Sequence, residues 1–529
     1  MKMTSTKVTS KPESKTAELR ESSSSYESIK PSDEFLYIFN QSWTYRTNRN
    51  IFSKKQAEIM NMTMDKLFNI IIDSRKPKLN DTIILAYSYQ NMCHAHVQSD
   101  EEEELYIAKD FILRCVRLIK DKEMNSKYIL IALKAYNHLG YIYYKQNKID
   151  QAIKIYDKAV ELYLSYTQAI EEYGIPVDFE NLIKPSENLN GHEKLKNVYI
   201  FILESLIDIH TETVPKNDHN LMICRHLLLV AEFKRLPQTT NYLKWIEKAS
   251  ILCECLLKYN RFIEAENHLI IMWYVKKIYI DKKYKEIKDR RQEYSLEISK
   301  LNKESNIAMY YISEYTVRYL LALMHLSAQR LLRLEKVTDS ESDNLPSNSK
   351  GRTMPNLLLF HKTELENPIR NNDKLMTIPY ITDYNTAYKN FTIVLKCAYN
   401  WLSYVKSTMD IKKFTQFTLN ISNAYKYMAL YEQDTASQIL LQNQRIDILS
   451  SAIQVISLEH LSMLKYLWLQ LAFTYSTVIN IKFEHLETIH PLYMPQKHNT
   501  IMLEINNLLK NALINLNMYM QHTPCTTRV

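Results

Sequence analysis

Few residues in this 529-residue sequence are typed and spaced for chemistry. Glu487-Thr-Ile-His490 is an ExxH pair. A carboxylate di-iron bundle needs two such pairs and two further glutamates on facing helices, and this pair stands alone beside a loop carrying Pro491 and Pro495. His192-Glu193 begins like HExxH but continues Lys-Leu-Lys, so the second zinc-binding histidine one helical turn on is missing. Cys253-Glu-Cys255 has the wrong spacing for a zinc knuckle. Cys93, His94 and His96 read as an ordinary helix end, and DDxxD does not occur. The four glycines, Gly140, Gly174, Gly191 and Gly351, are too scattered for the clustered-glycine loops that cradle phosphate. Kinase, P-loop ATPase and Rossmann dehydrogenase chemistry are therefore excluded. No catalytic residue, metal ligand, cofactor or small-molecule substrate is assigned, and the chain reads as one that binds other proteins.

Charge leads the same way. The formal excess of +8 arises from 67 basic and 59 acidic residues, without the concentrated basic face of a nucleic-acid binder. The densest basic stretch, Lys276–Arg291, holds eight Lys/Arg and three Asp/Glu. A solvated helix face is the plain reading and a polyanion site the alternative. Asp100 and Glu101–Glu104 suit the positive end of a helix dipole. The seven cysteines (Cys93, Cys115, Cys224, Cys253, Cys255, Cys397, Cys525) are scattered, as expected of reduced thiols. No secretory h-region and no transmembrane run is seen, so a cytoplasmic location is expected.

The elements that must position a binding surface are helices. Residues 1–32 are polar and read as a disordered tail. Apolar residues recur at i, i+3, i+4, i+7 from Phe35 onward. Residues 33–297 read as an N-terminal helical subdomain. A long helix over 298–336, about 50 Å at 1.5 Å per residue, reads as a connector. Residues 337–372 are polar, carry Pro346 and Gly351, and read as a flexible linker in which Ser340 and Ser342 sit among acids. Residues 373–520 read as a C-terminal helical subdomain and 521–529 as a tail.

One window repeats a known packing code. From Leu133 it places Tyr136, Leu139, Gly140, Tyr143, Ala152, Tyr156 and Ala159 at the large, small and aromatic positions of a tetratricopeptide hairpin, with Leu164 where that pattern has Pro. Gly140 and Ala152 mark close helix approach, and the tyrosines fill the groove toward the next hairpin. A degenerate copy runs from about Ile246 to Tyr279, with Leu252, Cys253, Leu256, Ala265 and Leu269 in the same register. Another hairpin is expected to join helices around Ala86–His96 and Leu105–Ile119. One hairpin cannot bury its faces alone, so the expected fold is all-α: a tetratricopeptide-like α-solenoid with a concave binding face, in two subdomains joined by a long helix. The positions that grip an acidic C-terminal peptide in chaperone adaptors hold Asn137 and Tyr141, against that role.

Several segments in order resemble the kinesin-binding protein family, inhibitors of kinesin motors. They are Ala108–Ile119, the repeat itself, Gly174-Ile-Pro-Val-Asp178, Glu193–Tyr199, Phe262-Ile-Glu-Ala265, Tyr380-Ile-Thr-Asp383 with Lys396, and Ile505-Asn-Asn-Leu508 with Lys510, Ala512 and Leu513. The resemblance implies a curved scaffold whose inner face holds a kinesin motor domain by its microtubule-binding side, without catalysis. It implies a cytoplasmic, cytoskeleton-associated role in axonal and mitochondrial transport. It also implies contact positions at Ser205, Asp208, Lys234, Trp245 and Ile251, and at Ser205, Asp208, Lys234 and Ile251 this sequence departs from the family's polar inner face; for Trp245 and Ile251 the alternative is packing between repeats. The competing function is a scaffold of the same architecture for a non-motor complex. An acidic or neutral polar inner face favours the motor reading, and a basic one the scaffold.

Overall fold

The computed structural model describes residues 31–99, 101–183, 190–213, 218–236, 241–289, 294–334, 358–360, 380–408, 410–487 and 495–522. Most of the disordered-tail and linker expectations, His490 of the ExxH pair and Cys525 fall outside them. The described residues form two compact units, Met1–Ile202 and Leu203–Val529. That division lies inside a helix, and not at the 298–336 helix that the sequence suggests as connector; the three-part division stays with the proposal below.

The first unit contains α1 (Asp33–Thr47), α2 (Lys54–Asp73), α3 (Leu79–Val97), α4 (Glu102–Ile119), α5 (Ile129–Lys145), α6 (Ile149–Gln168) and the short α7 (Ile170–Tyr173) and α8 (Phe179–Ile183). Helices α3 and α4 and helices α5 and α6 pair as hairpins, while α1 packs chiefly on α3. Helix α3 lies between α1 and α4 and also meets α5. Every residue from Asp81 to Cys93 is buried, as a helix enclosed on all sides requires. Most of its buried polar groups are paired; the Tyr87 hydroxyl has no hydrogen-bond partner among the described residues. Asp81 accepts from the Ser32 N–H at 2.7 Å and hydroxyl at 2.8 Å, and Gln90 donates to the Ile131 carbonyl at 3.1 Å. Glutamates 102 to 104 fill the first turn of α4, and Glu104 accepts from Arg49 through two bonds of 2.8 Å.

Helix α9 (Gly191–Thr213) carries the chain into the second unit. Then follow α10 (Asp218–Phe233), α11 (Tyr242–Lys258), α12 (Phe262–Asp289), the 41-residue α13 (Tyr294–Leu334), α14 (Tyr384–Thr408), α15 (Ile411–Ala429), α16 (Thr435–Val455), α17 (Leu461–Glu487) and α18 (Pro495–Gln521). Helix α13 packs on α11, α12, α14 and α15. Side-chain caps start α15 and α16, where Asp410 and Asp434 accept from N–H groups three residues on. The basic face expected over Lys276–Arg291 lies on α12 as far as Asp289; the two arginines beyond are outside the described residues.

The repeat code is physical. In the α5–α6 hairpin, Tyr136, Leu139, Gly140, Ala152, Tyr156 and Ala159 are buried and Tyr143 is half-buried. A Cβ on Gly140 would sit 2.7 Å from the Tyr156 ring, so the glycine makes room for that ring within its own hairpin. Tyr143 is the residue that faces the neighbouring hairpin, with the Lys109 ammonium of α4 4.9 Å from its ring centroid. Tyr136 accepts from Lys158 at 2.6 Å and donates to Glu123 at 3.1 Å. In the degenerate copy, Leu252, Cys253, Leu256, Ala265 and Leu269 are all buried. Both turns close alike. Asn147 (φ 57°) and Asn260 (φ 56°) occupy the left-handed region, which asparagine tolerates better than most residues. The next residue's N–H returns to the carbonyl five positions back, Lys148 to Tyr143 and Arg261 to Leu256, each at 2.9 Å.

Candidate partner-binding face

Three helices of the second unit present a shared polar surface. Their solvent faces follow from helical spacing. Helix α9 exposes Glu204, Asp208 and Glu212, an acid at each turn. Helix α11 exposes Lys244, Glu247, Ile251, Glu254 and Lys258, while its opposite stripe of Tyr242, Trp245, Ile246, Ala249, Leu252, Cys253 and Leu256 is core. Helix α13 adds Tyr311, Glu314 and Arg318, all half-buried.

Side chains lace the three together. The Lys248 ammonium of α11 lies 3.5 Å from Glu204 of α9 and 2.6 Å from Glu232 of α10. Tyr311 donates to Glu247 at 3.2 Å and Tyr315 to Glu254 at 3.1 Å. Arg318 donates to Glu254 at 3.0 Å and to Glu314 at 2.6 Å. The Tyr315 hydroxyl is pushed well above the usual phenol range, by burial first and then by the Glu254 charge, so it stays a donor. The acids outnumber the cations across this face, Glu204, Asp208, Glu212, Glu247, Glu254 and Glu314 against Lys244, Lys248, Lys258 and Arg318. The face is therefore acidic, with tyrosine and isoleucine among the charges. These ion pairs are part-exposed and each contributes little to stability, about 0–1 kcal/mol. Their arrangement matters more as a field for a partner to meet.

Of the five suggested contact positions, Asp208 is exposed on the α9 stripe and Ser205 is half-buried at its edge. Ile251 is 42% exposed between Glu247 and Glu254. Lys234 is exposed in the turn after α10, two residues beyond Glu232. Trp245 is 1% exposed, and its indole N–H donates to the Leu229 carbonyl at 3.0 Å. Its position on the apolar stripe of α11 puts it in the core, which favours the alternative of packing between repeats. The same face carries Glu204, Glu247, Glu254, Tyr311 and Arg318, which the sequence reading did not single out. The signal for the acids was available: Glu204, Asp208 and Glu212 are spaced four apart, and Glu247 and Glu254 seven apart.

Among the described residues no group of three or more His, Cys, Asp or Glu is placed to hold a metal ion, and no helix is long and apolar enough to cross a membrane. Cys93, Cys115 and Cys253 are buried, and burial pushes their thiols well above the usual range.

Comparison with known proteins places these features. The family model described as KIF-1 binding protein C terminal matches residues 243–525, and a tetratricopeptide repeat model matches residues 133–171. The KIF-binding protein of Danio rerio is 20% identical over 453 residues, covering 81% of this chain and 68% of that protein. Among solved structures, a circular tandem repeat protein is 9% identical with a TM-score of 0.22, covering 92% of this chain and 97% of its own. The APC/C hetero-tetramer Cut9–Hcn1 is 11% identical with a TM-score of 0.16, covering 91% of this chain and 98% of its own. Scores that low do not establish a shared fold, and the all-α, tetratricopeptide-like assignment rests on the helix hairpins and the repeat match.

Proposed function

This chain belongs to the KIF-binding protein family, and on that premise we propose that it is a non-catalytic scaffold that holds kinesin motor domains. The observation that supports this reading is the acidic, tyrosine-bearing face of α9, α11 and α13. A motor's filament-binding surface is basic because tubulin is acidic, and a basic surface docks on an acidic one through complementary potentials. A motor held by that surface is occluded from the filament. The mechanism is competition, and it needs no acid, base, metal or cofactor. The same reading gives the protein a cytoplasmic, cytoskeleton-associated location, a role in axonal and mitochondrial transport, and α13 as the element joining two repeat subdomains.

The test is a microtubule co-pelleting assay with purified motor domains, with and without the protein. Motors that remain in the supernatant in proportion to added protein support occlusion. If a motor binds the protein but still pellets with microtubules, binding occurs away from the filament surface and the occlusion mechanism is wrong. If no motor binds, the scaffold for a non-motor complex replaces this reading.

A further inference from the structure

Helices α13 and α14 pack directly on each other, yet the chain between them runs from residue 335 to residue 383. Neighbouring helices need only about 2–8 residues to join. The sequence suggests a flexible linker here, and its described part behaves otherwise: Leu358–Phe360 fills a pocket between α10, α11 and α12. Leu358 and Phe360 are buried and Leu359 is half-buried, so alternate side chains are the ones enclosed. The Leu358 N–H donates to Glu264 Oε1 at 3.2 Å, and the Phe360 N–H to Asn267 Oδ1 at 2.9 Å. Glu264 and Asn267 are three apart on α12, so one helix face takes the N–H groups of two alternate residues.

The Phe360 ring is enclosed by four others. Its centroid lies 5.5 Å from His226, 5.6 Å from Phe233, 5.9 Å from Trp245 and 5.3 Å from His268, with interplanar angles of 65–78°. That is the edge-to-face geometry aromatic rings prefer. His226 Nδ1 and His268 Nε2 meet at 3.1 Å and join α10 to α12 beside it.

Side chains that capture an extended backbone, with a pocket for an alternate side chain, are the elements of peptide recognition. We propose that this pocket is a binding site for an extended peptide with an apolar residue and, two positions later, an aromatic one, and that Leu358–Phe360 occupies it in cis. A partner segment of that pattern binds by displacing the strap. At an effective concentration of about 1 mM for the strap, a peptide with an intrinsic affinity of about 0.1 mM is weakened about tenfold. This inference is independent of the kinesin reading.

The test uses the full chain with residues 356–362 replaced by Gly/Ser of equal length, and a fluorescent peptide copying residues 354–364. The replaced chain is expected to bind the peptide saturably, and the unaltered chain about tenfold more weakly. Phe360→Ala in the peptide, or Asn267→Leu in the replaced chain, is expected to reduce binding at least severalfold. Equal binding by both chains, or no preference for the Phe360 peptide by a folded replaced chain, overturns the proposal. If the replaced chain does not fold, hydrogen exchange on the unaltered chain decides. Excess peptide is expected to speed exchange of the Leu358 and Phe360 amides, and unchanged exchange overturns the proposal.

Discussion

Gly140→Ala puts a methyl group where the structure holds an aromatic ring. The new Cβ would lie 2.7 Å from two Tyr156 ring carbons and 2.9 Å from a third. Carbon contacts are favourable at about 3.5–4.0 Å, so the ring must retreat by about 1 Å. It is 1% exposed and has no free space to take. Overpacking of this kind costs about 1–3 kcal/mol. Alanine recovers about 1 kcal/mol of that through helix propensity. The net loss is up to about 2 kcal/mol, or a fall in melting temperature of up to roughly 6 °C for a unit of this size. The assay is thermal and urea unfolding of Gly140→Ala, Tyr156→Leu and the double variant. Removing the ring removes the clash, so Gly140→Ala becomes neutral or stabilising in the Tyr156→Leu background, a coupling that the cycle measures directly. Gly140→Ala that stabilises the otherwise unaltered protein, or costs the same in both backgrounds, refutes the packing argument.

Other outcomes follow from buried groups. Trp245→Phe removes the indole N–H bond to the Leu229 carbonyl and part of a buried ring, and is expected to cost about 1–3 kcal/mol, measured by urea unfolding. Burial lowers the His268 imidazole to about 4. The unfolded chain therefore takes up a proton from about pH 6.5 downward while the folded chain stays neutral, and stability falls as pH drops through that window. By pH 5 this one group costs about 2 kcal/mol, and His268→Gln should flatten that part of a melting profile between pH 7 and pH 5. Cys93, Cys115 and Cys253 should resist alkylation at neutral pH until the protein unfolds, as mass spectrometry of labelled peptides can read.

The hairpins were legible in the sequence because a repeat is a packing code. Gly140, Ala152 and Tyr156 have those identities for reasons internal to one hairpin, and internal reasons leave a pattern. The degenerate copy was legible through the same register, and its Asn260 turn repeats that of Asn147. The stripe Tyr242, Trp245, Ile246, Ala249 also puts Trp245 inside, in keeping with packing between repeats. The acidic face was only half legible. Its spacing is written in α9 and α11, but the side-by-side placement that joins Glu204 to Lys248 and Glu247 to Tyr311 is tertiary. The strap was not legible. Leu358–Phe360 is too short for a period and sits in a polar stretch, and what holds it is contributed by α10, α11 and α12, far away in sequence.

The central claim is that the α9–α11–α13 face engages a motor through its acids. The most direct measurement is the affinity of a kinesin motor domain for the unaltered chain and for Glu204→Lys with Asp208→Lys, two exposed positions on α9. Each variant's helicity and melting temperature are measured alongside. The account predicts a loss of affinity of about tenfold or more, shrinking as salt is raised, since two charge reversals oppose a basic partner. A folded double variant that binds the motor as tightly as the unaltered chain at low salt contradicts it.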